Sequence, residues 1–196
     1  MNIVQIIGSL RVGGAEKQFV HLSNELCKNN DLYIVLLSHV ADDAIKNIVD
    51  NRIKITIIKS RLIYFPIVIL KLVLFFVKNK IDVVHTHMFW ASFYGIFAAK
   101  IARIKTTVTS EHGMNPWKKS IHHFIEKRLS SICTVRVCVS KDIAENRLVR
   151  DGFVTEKTVV IPNGVPQGEY LPRSWGQKLN LISVGRFIEA KDYPTL

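Results

Sequence analysis

The stretch Asn-Ile-Val-Gln-Ile-Ile-Gly at residues 2–8 is a short, largely apolar run that ends at a glycine, and a helix-length amphipathic segment follows it. The same alternation repeats along most of the chain. Strands are predicted at residues 2–8, 31–38, 53–58, 81–85, 106–110, 134–140 and 158–161. Helices are predicted at residues 15–28, 42–49, 66–77, 91–102, 118–131 and 141–149. Short apolar runs are typical of strands buried on both faces of a parallel sheet, so the alternation predicts a doubly wound α/β domain.

The composition of the chain changes after Ile161. Three prolines and three glycines fall within fifteen residues: Pro162, Gly164, Pro166, Gly168, Pro172 and Gly176. This composition predicts a linker at residues 163–178, between a first domain at residues 1–162 and new strand-like sequence at residues 179–185. One strand and one helix start cannot bury their apolar faces alone. Residues 179–196 are therefore expected to be only the start of a second domain.

Composition and charge limit the classes of function. The 196 residues are 48% apolar with a mean hydropathy of +0.17, which excludes a disordered or collagen-like chain. The net charge of +11 indicates an anionic partner, which can be nucleic acid, a membrane surface or a phosphorylated substrate. The three cysteines match no disulfide framework or zinc pattern, and the N-terminus lacks a signal-peptide pattern. Both features favour a cytoplasmic location.

The loop after the first predicted strand is a candidate ligand site. It contains Gly13 and Gly14 directly before a helix, where paired glycines allow close backbone approach and free N–H groups attract anions. The spacing matches neither the dinucleotide-binding Gly-x-Gly-x-x-Gly pattern nor a Walker A loop. A tight strand-to-helix turn explains the glycines equally well, so both interpretations stay open.

Histidines follow two neighbouring strands of the predicted sheet. His85 and His87 stand at the end of the fourth strand, on the same side if the strand continues that far, and His112 follows the fifth. In open parallel sheets, ligands bind beyond the carboxyl ends of the strands. Imidazole donates or accepts hydrogen bonds near neutral pH, so these side chains are candidates for a site there. Packing of the rings within the core is the alternative, and the spacing completes no metal site.

Two segments bear on membrane contact. Residues 62–77 are the most apolar of the chain but fall short of the ~20 residues that span a bilayer. We expect a helix buried on nearly all sides, and an interfacial helix with lysines at the water boundary is the alternative. Residues 115–150 carry eight lysines and arginines against three acids. These cations form either solvated helix faces or a surface for anionic lipid or a phosphate-linked acceptor.

Five motifs in register resemble the amino-terminal half of the retaining family 4 glycosyltransferases. They are Gly-Gly-Ala-Glu at 13–16, Asp-Val-Val-His-Thr-His at 82–87, Ser-Glu-His-Gly at 110–113, Val-Ile-Pro-Asn-Gly-Val at 160–165 and Ser-Val-Gly-Arg at 183–186, with Lys191 beyond. The resemblance covers nearly the whole chain. It implies the GT-B fold, in which two Rossmann-like domains face each other across a cleft. The first domain would shape the acceptor site and the second would hold the nucleotide.

The resemblance also implies an activity. The expected reaction is sugar transfer from a nucleotide-sugar to a lipid-linked or polysaccharide acceptor, in bacterial surface glycan synthesis such as that of capsule or lipopolysaccharide, without a metal or cofactor. It implies that His87 contacts the donor sugar as the catalytic residue, with His85 as the fallback. The remaining implied roles are the donor diphosphate for Gly13, Gly14, Arg186 and Lys191, and the acceptor for His112 and Glu111. Fixed cations beside the diphosphate stabilise the charge that develops there as the glycosidic bond breaks.

The paired-glutamate motif of this family, which contacts the donor, is expected beyond Leu196. We therefore expect the 196 residues alone to be catalytically inactive or severely impaired, and the protein to associate peripherally with an anionic membrane surface. The alternatives are a non-catalytic half-protein that binds a membrane or partner, a nucleic-acid-binding protein and a nucleotide-cofactor oxidoreductase. The sequence lacks nucleic-acid-binding signatures, and no acid ends the second predicted strand, so the last two are disfavoured.

Overall fold

A parallel sheet of seven strands forms the centre of the first structural unit. The computed structural model describes residues 1–60, 65–115, 117–165 and 193–195. The chain divides into two units, Met1–Gly164 and Val165–Leu196, and all seven strands lie in the first. In the second unit, Tyr193–Thr195 form a 3-10 turn. The predicted strand at 179–185, and with it Arg186 and Lys191, lies outside the described residues.

All seven strands predicted for residues 1–162 are present. They are β1 Asn2–Ile7, β2 Asp31–Leu36, β3 Lys54–Ile57, β4 Val83–His87, β5 Thr106–Glu111, β6 Val135–Cys138 and β7 Thr158–Val160. Every neighbouring pair is parallel, and the order across the sheet is β3-β2-β1-β4-β5-β6-β7. The chain therefore runs outward from β1 to β3 and then crosses back to β4 on the other side of β1. This topology confirms the doubly wound α/β fold, and it opens a crevice between β1 and β4.

Helices connect the strands, and their bounds differ from the predicted ones by a few residues. They are α1 Gly14–Leu26, α2 Asp43–Lys46, α3 Phe65–Lys78, α4 Met88–Ile101, α5 Ser120–Ile132 and α6 Lys141–Arg150. The largest difference at the crevice concerns α4, which begins directly after β4. Met88 adopts a left-handed φ of 69° and turns the chain within one residue. Strand β4 extends to His87, which places His85 and His87 on the same face of the sheet.

Strand β1 carries apolar side chains on both faces of the sheet. Ile3 and Ile7 pack with Phe19 of α1 in one buried cluster. Val4 and Ile6 pack with residues of α3 and α4 in another. Since successive strand residues point to opposite faces, the two clusters lie on opposite sides of the sheet. Each fully buried aliphatic side chain contributes roughly 1.5–3 kcal/mol, so both helix layers stabilise the sheet.

Helix α3 is apolar but is not buried on nearly all sides, so that prediction is wrong. Its inward face is buried and consists of Val68, Ile69, Leu72 and Phe76. Its outward face exposes Ile67, Leu70, Leu74 and Val77. The sheet covers only one side of the helix and α4 packs along another, which leaves the outward stripe in water. Among the described residues, no helix is long and apolar enough to cross a membrane.

Helix α4 lies unusually close to the sheet at Gly95. A methyl group at this position would lie 2.5 Å from Thr86 Cγ2 and 3.0 Å from Ile6 Cδ1. Both neighbouring side chains are fully buried, so neither can move into solvent. The missing side chain of Gly95 therefore sets the distance between α4 and strands β1 and β4.

Replacing Gly95 by alanine is expected to destabilise the fold. The added methyl group must push α4 away from the sheet, which typically costs about 1–3 kcal/mol when a packed core is overfilled and outweighs the roughly 0.5–1 kcal/mol that alanine gains over glycine within a helix. Urea denaturation followed by circular dichroism measures this cost. Gly14→Ala is the matched control, because no atom lies within 4 Å of its added methyl group and alanine favours the helix. Equal denaturation midpoints for Gly95→Ala and the unmodified chain would contradict the close approach.

Candidate functional site

A cavity of about 120 Å³ lies at the carboxyl ends of β1 and β4, where the strand order reverses. Residues from the end of β1, the start of α1, the β4–α4 junction and the loop after β5 form its walls. They are Ile7, Gly8, Ser9, Glu16, His87, Met88, Phe89, Trp90, Ala91, Asn115 and Trp117. The cavity therefore lies where the carboxyl ends of β1, β4 and β5 meet, which is the edge of the sheet where the sequence predicted a ligand site.

His87 is the histidine that reaches this cavity. Its side chain is held on three sides: Nδ1 lies 3.0 Å from Nε2 of His112, and the rings of His85 and Phe19 pack at centroid distances of 4.2 Å and 4.9 Å. The other ring nitrogen, Nε2, is buried and has no hydrogen-bond partner among the described residues. A buried polar atom without a partner costs about 1–3 kcal/mol, so each one needs an explanation, and on a cavity wall a bound ligand supplies it. Nδ1 of His112, close by, is a second buried atom without a partner in the described part of the chain.

His85 differs from His87 because both of its ring nitrogens have partners. Nδ1 lies 3.3 Å from Nε2 of Gln5, and Nε2 lies 2.8 Å from Oγ of Ser110. Gln5 in turn accepts a hydrogen bond from the hydroxyl of Ser23, so a buried chain of four side chains crosses the sheet. Burial lowers the pKa of His85 to about 3, which leaves it neutral at physiological pH. His85 thus packs under His87 with no free nitrogen for a ligand.

His112 shares one hydrogen bond with His87. Burial lowers the pKa of both side chains, so both rings are neutral near pH 7 and one proton lies between Nδ1 of His87 and Nε2 of His112. If His112 donates, the Nε2 of His87 carries a proton and is a donor; if His87 donates, its Nε2 is an acceptor. Through this contact, His112 sets which of the two roles His87 can take.

Glu111 lies outside the cavity, in a buried cluster of charged side chains. The cluster contains three carboxylates and three cations, each with a side chain that is 0% exposed: Glu111, Glu126, Asp151, Lys118, Arg136 and Arg147. Its charges cancel in number, which is the condition under which ionised groups tolerate burial. Three of the eight cations in residues 115–150, namely Lys118, Arg136 and Arg147, are therefore buried. These three belong neither to a solvated helix face nor to an anion-binding surface, so both predictions are wrong for them.

The cluster is connected to the cavity by the loop after β5. Arg147 donates a hydrogen bond from Nη2 to the carbonyl of Gly113, and the amide of Asn115 lies 3.4 Å from Oε2 of Glu111. Asn115 and Trp117, further along the same loop, line the cavity. The ion pairs therefore determine the position of one cavity wall.

Glu111 is the least compensated carboxylate of the cluster. Its nearest cations, Arg136 and Arg147, are 3.5 Å and 3.6 Å away, whereas Glu126 contacts Arg136 at 2.5 Å. Burial, together with repulsion from Glu126, raises the pKa of Glu111 to about 7. Glu111 therefore changes its charge close to physiological pH.

The two glycines before α1 differ in their surroundings. Gly13 is the N-cap of α1, and a methyl group there would collide with the carboxylate of Glu16, which folds back over the first turn. Gly14 has no atom within 4 Å of such a methyl group. Glu16 itself lines the cavity. An anionic ligand at the start of α1 would thus have to displace the Glu16 carboxylate.

Two residues on the cavity wall have a left-handed backbone conformation. Among the described residues, four other than glycine have a left-handed φ, and two of them, Met88 with 69° and Asn115 with 50°, line the cavity. This conformation costs roughly 1–2 kcal/mol in Met88, whereas asparagine tolerates it. Such strain concentrates at functional sites. No signal in the sequence distinguished these two residues.

An aromatic group surrounds the mouth of the cavity. The ring of Phe89 contacts those of Trp90 and Trp117 edge-on, at centroid distances of 5.0 Å and 5.8 Å. Trp90 is 40% exposed and Trp117 is 48% exposed. Sequence reasoning assigned neither tryptophan to the site, and their grouping depends on the meeting of α4 with the loop after β5. The described residues contain no group of three His, Cys, Asp or Glu side chains placed to hold a metal ion.

Comparisons with known proteins agree with this fold. A family profile described as Glycosyltransferase Family 4 matches residues 12–168, whereas no curated protein matches the chain. Three solved structures resemble it. HepE of Anabaena in complex with UDP-glucose is 19% identical with a TM-score of 0.70, and the match covers 84% of this chain and 44% of that chain. A glycosyltransferase of Rickettsia africae is 22% identical with a TM-score of 0.63, and the match covers 84% of this chain and 43% of that chain. The lipopolysaccharide outer core galactosyltransferase WaaB is 19% identical with a TM-score of 0.60, and the match covers 84% of this chain and 46% of that chain. The chain spans less than half the length of these structures, and at such identities the likeness shows the fold alone.

Replacing His112 by phenylalanine is expected to shift the tautomers of His87. Phenylalanine keeps the planar ring but offers no nitrogen to Nδ1 of His87, and a hydrogen bond of about 1 kcal/mol corresponds to roughly a fivefold change in the tautomer ratio. Long-range ¹H–¹⁵N spectra of the imidazole nitrogens measure that ratio. His39→Phe, at an exposed position, is the control. Unchanged His87 nitrogen shifts in folded His112→Phe would contradict the role of the contact.

The stability of the fold is expected to depend on pH through Glu111. Its pKa in the folded protein lies above the ordinary value, so the folded state keeps a proton that the unfolded chain releases. This contribution is present below about pH 4.5 and is lost as the pH rises through 7. The stability of the unmodified protein relative to Glu111→Gln should therefore fall by about 2–3 kcal/mol between pH 5 and 8.

Urea denaturation at several pH values measures this difference. Glu156→Gln, at an exposed position, is the control and should leave the pH dependence unchanged. Parallel pH profiles for the unmodified protein and Glu111→Gln would show that Glu111 is ionised across the whole range.

Proposed function

Because the chain belongs to Glycosyltransferase Family 4, we propose that the protein transfers a sugar from a nucleotide-sugar to a lipid-linked or polysaccharide acceptor, with retention of anomeric configuration. The observation that carries the proposal is the buried, unpartnered Nε2 of His87 on the wall of the cavity between β1 and β4. A neutral imidazole can donate a hydrogen bond to a sugar oxygen or accept one from a sugar hydroxyl. The partnered nitrogens of His85 favour His87 over the fallback.

His87 would act by preorganisation. The rings of His85 and Phe19 and the hydrogen bond to His112 fix its orientation before a substrate binds. A dipole that is already oriented in a site without water stabilises developing charge more strongly than one that must turn towards it. We propose that His87 holds the donor sugar in this way during transfer.

Further roles follow for the other predicted residues. We propose that Gly13 and Gly14 allow the donor diphosphate to approach the start of α1 once the Glu16 carboxylate has moved aside, and that Arg186 and Lys191 neutralise its charge. His112 would act on the acceptor side and, through its hydrogen bond, on His87. Glu111 has no exposed surface, so we propose that it influences the acceptor through the loop after β5.

The donor and acceptor classes rest on the similar proteins. HepE was solved with UDP and with UDP-glucose, and WaaB is a galactosyltransferase of the lipopolysaccharide outer core. We therefore propose a UDP-sugar as the donor and a bacterial surface glycan precursor as the acceptor, at the cytoplasmic face of the membrane. All three cysteines are free thiols, which suits a reducing compartment.

The 196 residues are proposed to provide the acceptor half of the site. The similar structures are more than twice as long as the matched part of this chain, so most donor contacts would come from outside it. Sugar transfer by the 196-residue chain alone is therefore not expected, and the activity belongs to a full-length protein.

In a full-length protein, His87→Ala is expected to lower turnover by at least a hundredfold while the fold persists. Loss of a positioned hydrogen-bonding group in a buried site typically costs about 2.7–4 kcal/mol in the transition state. Release of UDP from a panel of UDP-sugars, with a membrane extract as acceptor, measures turnover. Adding EDTA to the same assay tests the expectation that no metal ion is needed.

His39→Ala is the control, because His39 is exposed and lies outside the walls of the cavity. Turnover close to that of the unmodified protein in His87→Ala would remove His87 from the proposal and return attention to His112. Absence of UDP release from every sugar in the panel would contradict the proposed donor class.

A further inference from the structure

Helix α3 exposes an apolar stripe to water. Ile67, Leu70, Leu74 and Val77 recur at spacings of three and four residues, which places them along one face of the helix. Each is more than half exposed, from 52% to 64%. Contiguous apolar surface of this kind on a folded protein marks a site of interaction.

An apolar groove lies beside this stripe, between α3 and α4. It encloses about 660 Å³ and is lined by Phe65, Ile69 and Leu70 from one helix and by Phe93 and Phe97 from the other. Ile101 at the end of α4 is 61% exposed and extends the groove. Both helices therefore contribute apolar contacts to the groove.

Helix α5 continues the same surface on the other side of α4. Both α3 and α5 pack against α4, so the three helices lie side by side. Ile121 and Phe124 of α5 are 59% and 55% exposed. The guanidinium of Arg128 lies 5.2 Å from the ring of Phe124, which shows how cations border the apolar patches here.

The charges on these three helices have one sign. The exposed charged residues within α3, α4 and α5 are Lys71, Lys78, Lys100, Lys127 and Arg128. The single acid in the three described helices is Glu126, which is buried and paired with Lys118 and Arg136. Helices α1, α2 and α6 instead mix both signs and contain Glu16, Glu25, Asp43, Asp142 and Glu145. The basic character of the chain is therefore uncompensated on one face.

We propose that the basic–apolar face, meaning the outer surface of α3, α4 and α5, docks on an anionic lipid bilayer. Apolar side chains of an interfacial helix enter the boundary between headgroups and acyl chains, while lysines extend their charged ends to lipid phosphates. Cations near an anionic leaflet each strengthen binding, and no exposed acid on this face opposes the attraction. The occupant of the groove is an acyl chain or headgroup region of that bilayer.

The charge pattern favours a bilayer over a second copy of the chain. Two copies facing each other through this surface would bring lysines against lysines, and like charges at an interface are costly. An anionic bilayer carries the opposite charge to the lysines of this face, and its fluid surface can accommodate the exposed side chains at both ends of the groove.

Docking through this face would bring lipid close to the cavity. Trp90 at the start of α4 and Trp117 just before α5 line the cavity and are also half exposed. Tryptophan prefers the interface between membrane and water. The biological role of this docking rests on the proposed function, because docking would bring a lipid-linked acceptor to the cavity at the bilayer surface.

Flotation of the 196-residue chain with lipid vesicles in about 0.1 M salt, where the Debye length is about 10 Å, tests the proposal. Vesicles of phosphatidylcholine with a third of phosphatidylglycerol are compared with pure phosphatidylcholine. We expect at least tenfold stronger binding to the anionic vesicles. Reversing two charges in Lys71→Glu/Lys78→Glu is expected to weaken it by at least thirtyfold, since losing each lysine costs about a factor of six near an anionic surface and each new carboxylate adds repulsion.

The matched control is Lys17→Glu/Lys46→Glu on α1 and α2, where both lysines are exposed and the change in net charge is the same. It should retain binding within about threefold, because the attraction falls off within a Debye length. A third variant, Leu70→Gln/Leu74→Gln, changes exposed positions only and should also weaken binding severalfold.

Three outcomes would overturn the inference. They are equal binding to neutral and anionic vesicles, equal losses in the two lysine variants, and oligomers of the chain that the Leu70→Gln/Leu74→Gln change abolishes. The result does not depend on enzymatic activity. Vesicle binding without UDP release in a full-length protein would support this inference and contradict the proposed function. UDP release without vesicle binding would support the proposed function and contradict this inference.

Discussion

The pairing of β1 with β4 is the constraint on which the rest of this structure depends. Strand β1 forms hydrogen-bonded pairs with both β2 and β4, and helices pack on both of its faces, so it lies between the two helix layers. The same pairing places Gln5 beside His85 and brings the start of α1 next to the end of β4. The cavity and the close approach at Gly95 follow from this register, and the pairing of β4 with β5 adds the contact between His87 and His112.

Much of the fold could be predicted because its signals are local. The alternation of apolar runs with amphipathic segments identified all seven strands, and the carboxyl ends of β4 and β5 were expected to bring histidines together. The choice between His85 and His87 could not be made from spacing. It depends on Gln5 and Ser110, which are distant in sequence and satisfy only one of the two rings.

Charged residues were the hardest to place. Lys118 is buried and Lys119 is exposed, although the two are neighbours and chemically identical. The difference arises because Glu126 and Asp151 lie within reach of Lys118 after α5 and α6 have packed. The burial of α3 was predicted wrongly for a related reason: the composition of a helix does not reveal how many of its sides the fold covers.

The buried ion cluster affects how mutational data on this protein should be read. Arg147 and Asp151 do not line the cavity, yet Arg147 holds the carbonyl of Gly113 in the loop that forms its wall. A screen for loss of function would therefore score these residues together with His87, although they act on different atoms. Only separate measurement of abundance and turnover would distinguish the residues that support the cavity from those that form it.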